Sequence, residues 1–136
     1  TRAAAADPSK WLVLPEIISK EPLGPLVRHG DHQWGDVVRW SLNAMIIAEE
    51  LGVTSENVDA QKSSNVPEVL RLLGVEGSYG EMLELAPDWA YQIIKQIGNY
   101  SESYEANVGP DTPLEIARGL NALWTQGGIL YAPPFR

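Results

Sequence analysis

The sequence predicts a mainly α fold with two or three short strands, and three observations predict it. Apolar residues recur at helical spacing in several stretches from residue 33 onward. Those stretches are closed by glycines, and several open on side chains suited to capping. Proline and strand-forming residues, in contrast, crowd the first 28 positions.

Taken in order, Trp11–Leu14 and Leu26–Arg28 are the strand candidates. Between them Pro15, Pro22 and Pro25 fix their own φ and push each preceding residue toward extended geometry. The stretch reads as a stiff crossing between two bodies, with only about ten residues on its N-terminal side. Asp31 is placed to cap a helix from Gln33 to Leu51 that stops at Gly52. Its apolar residues, Trp34, Val37, Val38, Trp40, Met45, Ile47, Ala48 and Leu51, cover more than one face, which predicts burial on two sides.

Thr54 opens a short turn or helix through Val58, and Gln61–Asn65 is a polar loop. Asn65 precedes a helix with Pro67 in its first turn and Gly74 beyond its end. One loose turn is expected around Glu81–Leu83, followed by an amphipathic helix from Asp88 to Ile97 closed by Gly98. Asn99 caps the next, through Asn107. The strongest local signals mark a last helix, with Thr112 as N-cap, Pro113 at N1 and Glu115 at N3. Its apolar stripe would be Leu114, Ile116, Ala117, Leu120, Leu123 and Trp124, ended by Gly127 and Gly128. The tail Ile129–Phe135 is extended and apolar, and must lie on a surface or a partner to escape water. Nothing repeats at the period of a solenoid.

A chain of 136 residues, 44% apolar and with five tryptophans, is globular in composition and able to bury a core of its own. Ten basic residues scattered among eighteen acidic ones, a net charge of −8, exclude nucleic acid and anionic membranes as partners. No apolar run reaches the roughly 18 residues that membrane insertion needs. The opening residues lack a signal peptide's apolar core, which says nothing of export because a mature secreted chain has lost its signal. The absence of cysteine leaves the redox compartment open.

Few groups point to chemistry. His29 and His32 flank Asp31, with Asp36 nearby, and imidazole with carboxylate at such spacing could hold a divalent cation. A solvated helix start is the simpler reading, since no further ligand is spaced as a metal motif requires. Glu49 with Glu50, or Glu102 with Glu105, could act as acid and base, but such pairs on helices of an acidic protein are usually a solvated face. Gly74, Gly77 and Gly80 are turn residues rather than a phosphate loop, because no strand feeds a helix there. Asn99–Ser101 is a formal glycosylation sequon, more simply a helix cap. The tryptophans could stack on sugars, but Trp40, Trp89 and Trp124 sit on apolar stripes and read as core. With no nucleophile motif, the residues alone describe a binding or interaction protein, with no catalytic residue, no metal and no cofactor.

Leu14–Glu16, Ser19–Pro25, Val27–Asp31, Trp34 and Val38–Trp40 resemble the C-terminal half of periplasmic substrate-binding proteins of polar amino-acid ABC transporters, the general L-amino-acid-binding type. The likeness continues in order through Ala48–Gly52, Leu72–Gly74, Trp89–Tyr91, Gly98–Tyr100, Asn107–Gly109, Arg118–Trp124, Gly127–Gly128 and Tyr131–Pro134. It implies a fragment of a periplasmic-binding-protein-like type II α/β clamshell of about twice this length. On that pattern residues 1–20 are a remnant of lobe two, 21–26 the hinge crossing, and 27–136 the helical C-terminal part of lobe one. The hinge would be Glu21, Pro22, Leu23, Gly24 and Pro25. The family's main ligand contacts, an arginine for the amino acid's carboxylate and an acidic group for its ammonium, lie upstream of this chain. The resemblance further implies a periplasmic location, an ABC permease as partner, and an L-amino acid as ligand once the other half is supplied. Helices deprived of their sheet predict a homo-oligomer that exchanges Trp11–Arg28 between copies. The alternative to solute capture is therefore a helical interaction module that self-associates and no longer binds amino acids.

Overall fold

The computed structural model describes residues 2–16, 18–19 and 22–136. Six α-helices carry the body: α1 (His32–Glu50), α2 (Val58–Gln61), α3 (Pro67–Leu72), α4 (Tyr79–Met82), α5 (Trp89–Ile97) and α6 (Tyr100–Asn107). Single 3-10 turns lie at Arg2–Ala4, Pro8–Lys10, Gly119–Asn121 and Trp124–Gln126. The helix α1 is the spine, packing against α3, α5 and α6, while α2 packs on α5.

The helix ends follow from local chemistry. Asp31 accepts a hydrogen bond from the Trp34 N–H at 3.2 Å and so caps α1. At the other end Gly52, at φ 68°, lets the Gly52 and Val53 N–H groups return to the carbonyls of Glu49 and Ala48. That turn drops Val53 into the core, where it is fully buried. Between α5 and α6 one polar node does three jobs. Asn99 Oδ1 accepts from the Glu102 N–H and Glu102 Oε2 accepts from the Asn99 N–H, a reciprocal cap. Asn99 Nδ2 also donates to the Val53 carbonyl at 2.9 Å, and Glu102 Oε1 accepts from the Ser55 hydroxyl at 2.6 Å. The end of α1 is thereby tied to the start of α6, and Asn99 is almost wholly buried.

The core is built from Ala44, Ile47 and Ala48 of α1, Val53, Val58, Leu72 and Leu73, and Trp89, Ala90 and Ile94 of α5. The extended tail closes it. Phe135 stacks on Trp40 with centroids 5.2 Å apart, leans on Tyr79 at 5.3 Å, and meets the edge of Trp89 at 6.1 Å. The tail therefore does lie on a surface, that of its own helices.

Three expectations are corrected. The helix predicted from Thr112 does not form: residues 112–118 are irregular and Glu115 sits at φ 52°. The reason is tertiary. Arg118 donates to the Asn121 carbonyl through both Nε and Nη2, and Tyr104 donates its hydroxyl proton to the Ala117 carbonyl. An intact helix would occupy that Ala117 carbonyl with its own backbone. Leu114, Ile116, Leu120 and Trp124 stay exposed and only Leu123 of the stripe reaches the core, and short helices form mainly where a whole face is buried. Next, Trp11–Leu14 and Leu26–Arg28 form no strand and pair with nothing among the described residues, because a strand needs a neighbour and the described residues supply none. The only bridge among the described residues is one parallel pair, Leu123 with Leu130. Finally, α1 is enclosed on more than one side only toward its C-terminal end, at Ala44, Ile46, Ile47 and Ala48, while Trp34 and Leu42 remain exposed.

The uncovered surface is large. A compact monomer of 14.9 kDa would expose roughly 7,000 Å². This chain exposes 9534 Å², about 2,500 Å² more.

Candidate functional site

The feature with the clearest capacity to bind is the uncovered ribbon formed by residues 11–16, 18–19 and 22–27 and the face of α1 beside it. Leu12, Ile18, Leu23 and Leu26 are each more than 80% exposed, and Trp11, Val13 and Leu14 are exposed as well. Of the hinge expected from the sequence, Pro22, Leu23, Gly24 and Pro25 lie on this ribbon outside any helix or strand, and Glu21 lies outside the described residues. A side chain at Gly24 would meet nothing within 4 Å. The ribbon joins the body at Val27, whose Cγ2 lies 3.6 Å from where a Cβ on Gly35 would sit. From there the Trp34 and Leu42 face continues the apolar surface along α1. An apolar ribbon without regular secondary structure among its described residues, next to an open helix stripe, is fitted to receive further chain.

The carboxylate pairs weighed as acid and base are engaged elsewhere. Both oxygens of Glu49 accept from Arg118 Nη2, at 3.0 and 3.1 Å, in a pair whose side chains are 9% and 16% exposed. The Arg118 guanidinium also lies 5.4 and 5.3 Å from the rings of Tyr100 and Tyr104. Glu50 accepts from the Trp124 indole at 3.1 Å, and Glu102 is the cap described above. Glu105 is exposed. Glu49, Glu50 and Glu102 are each held by a different donor, so neither pair works as two matched carboxylates.

Around the start of α1 the structure does bring His29, Asp31, His32 and Asp36 together, along an open cleft of about 250 Å³ also lined by Arg28 and Arg39. Asp31 is used as the cap and Asp36 faces Arg39 at 3.6 Å. Among the described residues no three acidic, histidine or cysteine side chains are grouped to hold a metal ion. The sequon residue Asn99 is spent on its cap, and its Nδ2 on Val53. Trp40 and Trp89 belong to the core, as their spacing suggested, whereas Trp124 is half exposed.

One polar cluster was not legible in the sequence. Asp59 of α2 accepts from the Tyr91 hydroxyl at 2.9 Å and from Lys95 Nζ at 2.6 Å, both on α5, while Lys62 Nζ sits 3.3 Å above the Tyr91 ring. The hydrogen bond from Lys95, then that from Tyr91, holds the Asp59 carboxyl below its ordinary range. The same bonds raise Tyr91 and Lys95. These groups are 32 and 36 residues from Asp59, so no local spacing announces them.

No family model matches the chain. Individual proteins do. It is 57% identical to YhdW of Escherichia coli (strain K12), named for amino-acid ABC transporter binding, over 99% of this chain and 40% of that protein. It is 54% identical to AapJ of Rhizobium johnstonii, a general L-amino acid-binding periplasmic protein, again over 99% of this chain and 40% of that one. A solved ABC transporter periplasmic binding protein from Brucella ovis, with glutathione bound, superposes with a TM-score of 0.94 and 52% identity, over 99% of this chain and 43% of that chain. The chain thus spans about two fifths of the length of the relatives it matches, consistent with the C-terminal portion. It is homologous to amino-acid ABC transporter-binding proteins, and its fold is part of a periplasmic binding protein.

Proposed function

We propose that the chain acts as the C-terminal part of an amino-acid-binding protein, capturing solute noncovalently in the periplasm for an ABC permease and catalysing no reaction. The observation that carries this reading is the end-to-end similarity, above 50% identity, to proteins named for that task. The excess surface supports it as well. About 2,500 Å² beyond the compact expectation is on the scale of an obligate interface, which buries roughly 2,000–5,000 Å² in total. In this reading residues 1–20 belong to lobe two, 21–26 cross the hinge and 27–136 complete lobe one, with the principal ligand contacts supplied by the rest of the protein. The ribbon and the Trp34–Leu42 face are then where that remainder docks.

The test joins this chain, in one polypeptide, to the part of YhdW it does not match, and titrates the product calorimetrically with L-amino acids and glutathione. Saturable heats with at least one ligand are expected. A folded chimera that gives no heat with any of them overturns the reading.

A second reading is favoured by one observation, the solvent exposure of Trp11, Leu12, Ile18, Leu23 and Leu26 on a single ribbon. Copies of the chain could cover that ribbon mutually, giving a self-associating module without amino-acid binding. Sedimentation of the chain alone at micromolar concentration would then give a dimer or larger species, and a sharp monomer eliminates it.

A further inference from the structure

We propose that the cleft between α1, α3 and the C-terminal tail binds the side chain of an arginine carried by a partner protein. The cleft encloses about 220 Å³. Pockets that engulf a drug-sized ligand are larger, roughly 300–1,000 Å³, so this one is scaled to the end of one side chain. Ile47 of α1 and Leu51 just beyond its end line it as apolar surface suited to methylenes. Trp124 and Tyr131 line it as aromatic walls, their rings meeting edge to face at 5.7 Å and 70°. Glu50 and Glu68, on two different helices, supply carboxylates at the same cleft.

Charge selects the ligand. Two carboxylates, in a chain of net charge −8, repel an anion and leave a neutral group no reason to prefer this site. The indole N–H of Trp124 holds Glu50 Oε1 in place, and Glu50 Oε2 has no hydrogen-bond partner among the described residues. Glu68 faces Arg71 at 3.4 Å, but its side chain is 55% exposed, and such a pair is easily exchanged for another cation. The aromatic walls favour a planar guanidinium, which stacks, over a compact and strongly hydrated ammonium. Trp124 and Tyr131 are half or more exposed, as is Ile129 between them in sequence. Exposed tryptophan and tyrosine are the residues that protein interfaces concentrate, and arginine is the charged residue enriched across them. This inference does not depend on the solute-capture reading.

The test follows the indole N–H resonance of Trp124 in the ¹⁵N-labelled chain, assigned by Trp124→Phe, as Nα-acetyl-arginine amide is added. A saturable shift of that resonance is expected, with Glu50→Gln weakening binding about tenfold and Glu68→Gln about threefold. The other four tryptophan indole signals should keep their positions in both variants, which reports an intact fold. The isosteric neutral citrulline amide should give no saturable shift, and the lysine analogue a weaker one. Equal response to the citrulline amide, no saturation with the arginine amide, or indifference to Glu50→Gln overturns the proposal. Free L-arginine binding tenfold more tightly than the capped amide would assign the cleft to a free amino acid and overturn the partner. A lysine analogue as tight as the arginine one would overturn the guanidinium.

Discussion

Replacing Arg118 by methionine should destabilise the fold by about 3 kcal/mol, the low end for breaking a buried ion pair. The Glu49–Arg118 pair is at most 16% exposed, so solvent screens it weakly. Removing the guanidinium strips both Glu49 oxygens of their donor and leaves a nearly buried carboxylate uncompensated. It also removes two bonds to the Asn121 carbonyl and the cation lying over Tyr100 and Tyr104. Methionine retains most of the stem's packing, so the loss is chiefly electrostatic. Urea unfolding followed by far-UV circular dichroism reads it directly: at an m-value of about 2 kcal/mol/M the midpoint falls by about 1.5 M. Pairing Arg118→Met with Glu49→Leu should recover more than half of the loss, because an apolar pair of similar volume carries no stranded charge. Singles within 0.5 kcal/mol of the parent, or a double variant whose loss is the sum of the singles, would refute the assignment of this pair as buried and coupled.

The remaining predictions concern other elements. Asn99→Ala should cost about 2 kcal/mol, since it deletes both the cap of α6 and the bond to the Val53 carbonyl, and thermal unfolding would show it. Ile94→Ala, at a fully buried position, should cost about 3–4 kcal/mol by transfer and cavity together, measured by urea midpoint. Glu115→Gly should stabilise by up to about 1 kcal/mol because residue 115 is left-handed; were the segment a helix, the same change would destabilise by a similar amount. The Asp59 carboxyl is depressed in the folded chain, so its contribution is present above the unfolded value of about 3.9 and fades as pH falls through the folded value. Asp59→Asn should therefore flatten the acid limb of a stability profile without shifting the neutral plateau's slope.

What the sequence made legible was whatever local rules decide. The cap at Asp31, the glycine stops at Gly52, Gly74 and Gly98, and the cap at Asn99 all lie within a few residues of the groups they satisfy, and all formed. The segment after Thr112 carried equally good local signals and failed, because Arg118 and Tyr104 spend their hydrogen bonds across the fold. The reading of α1 as apolar on two faces was correct as a pattern, but only its C-terminal end is enclosed on more than one side. The cleft was invisible because Glu50, Glu68, Trp124 and Tyr131 converge from four separate elements. Collinear blocks such as Arg118–Trp124 gave the relationship to binding proteins long before any distance was known.

Phe135 has a temporal consequence. The aromatic box of Trp40, Tyr79 and Trp89 is laid down 46 to 95 positions earlier in synthesis than the ring that plugs it. Until Phe135 has emerged from the ribosome, the nascent helices carry an open, greasy socket, and this corner of the core cannot close. Trimming the plug away would leave the helices free to wind but unable to lock.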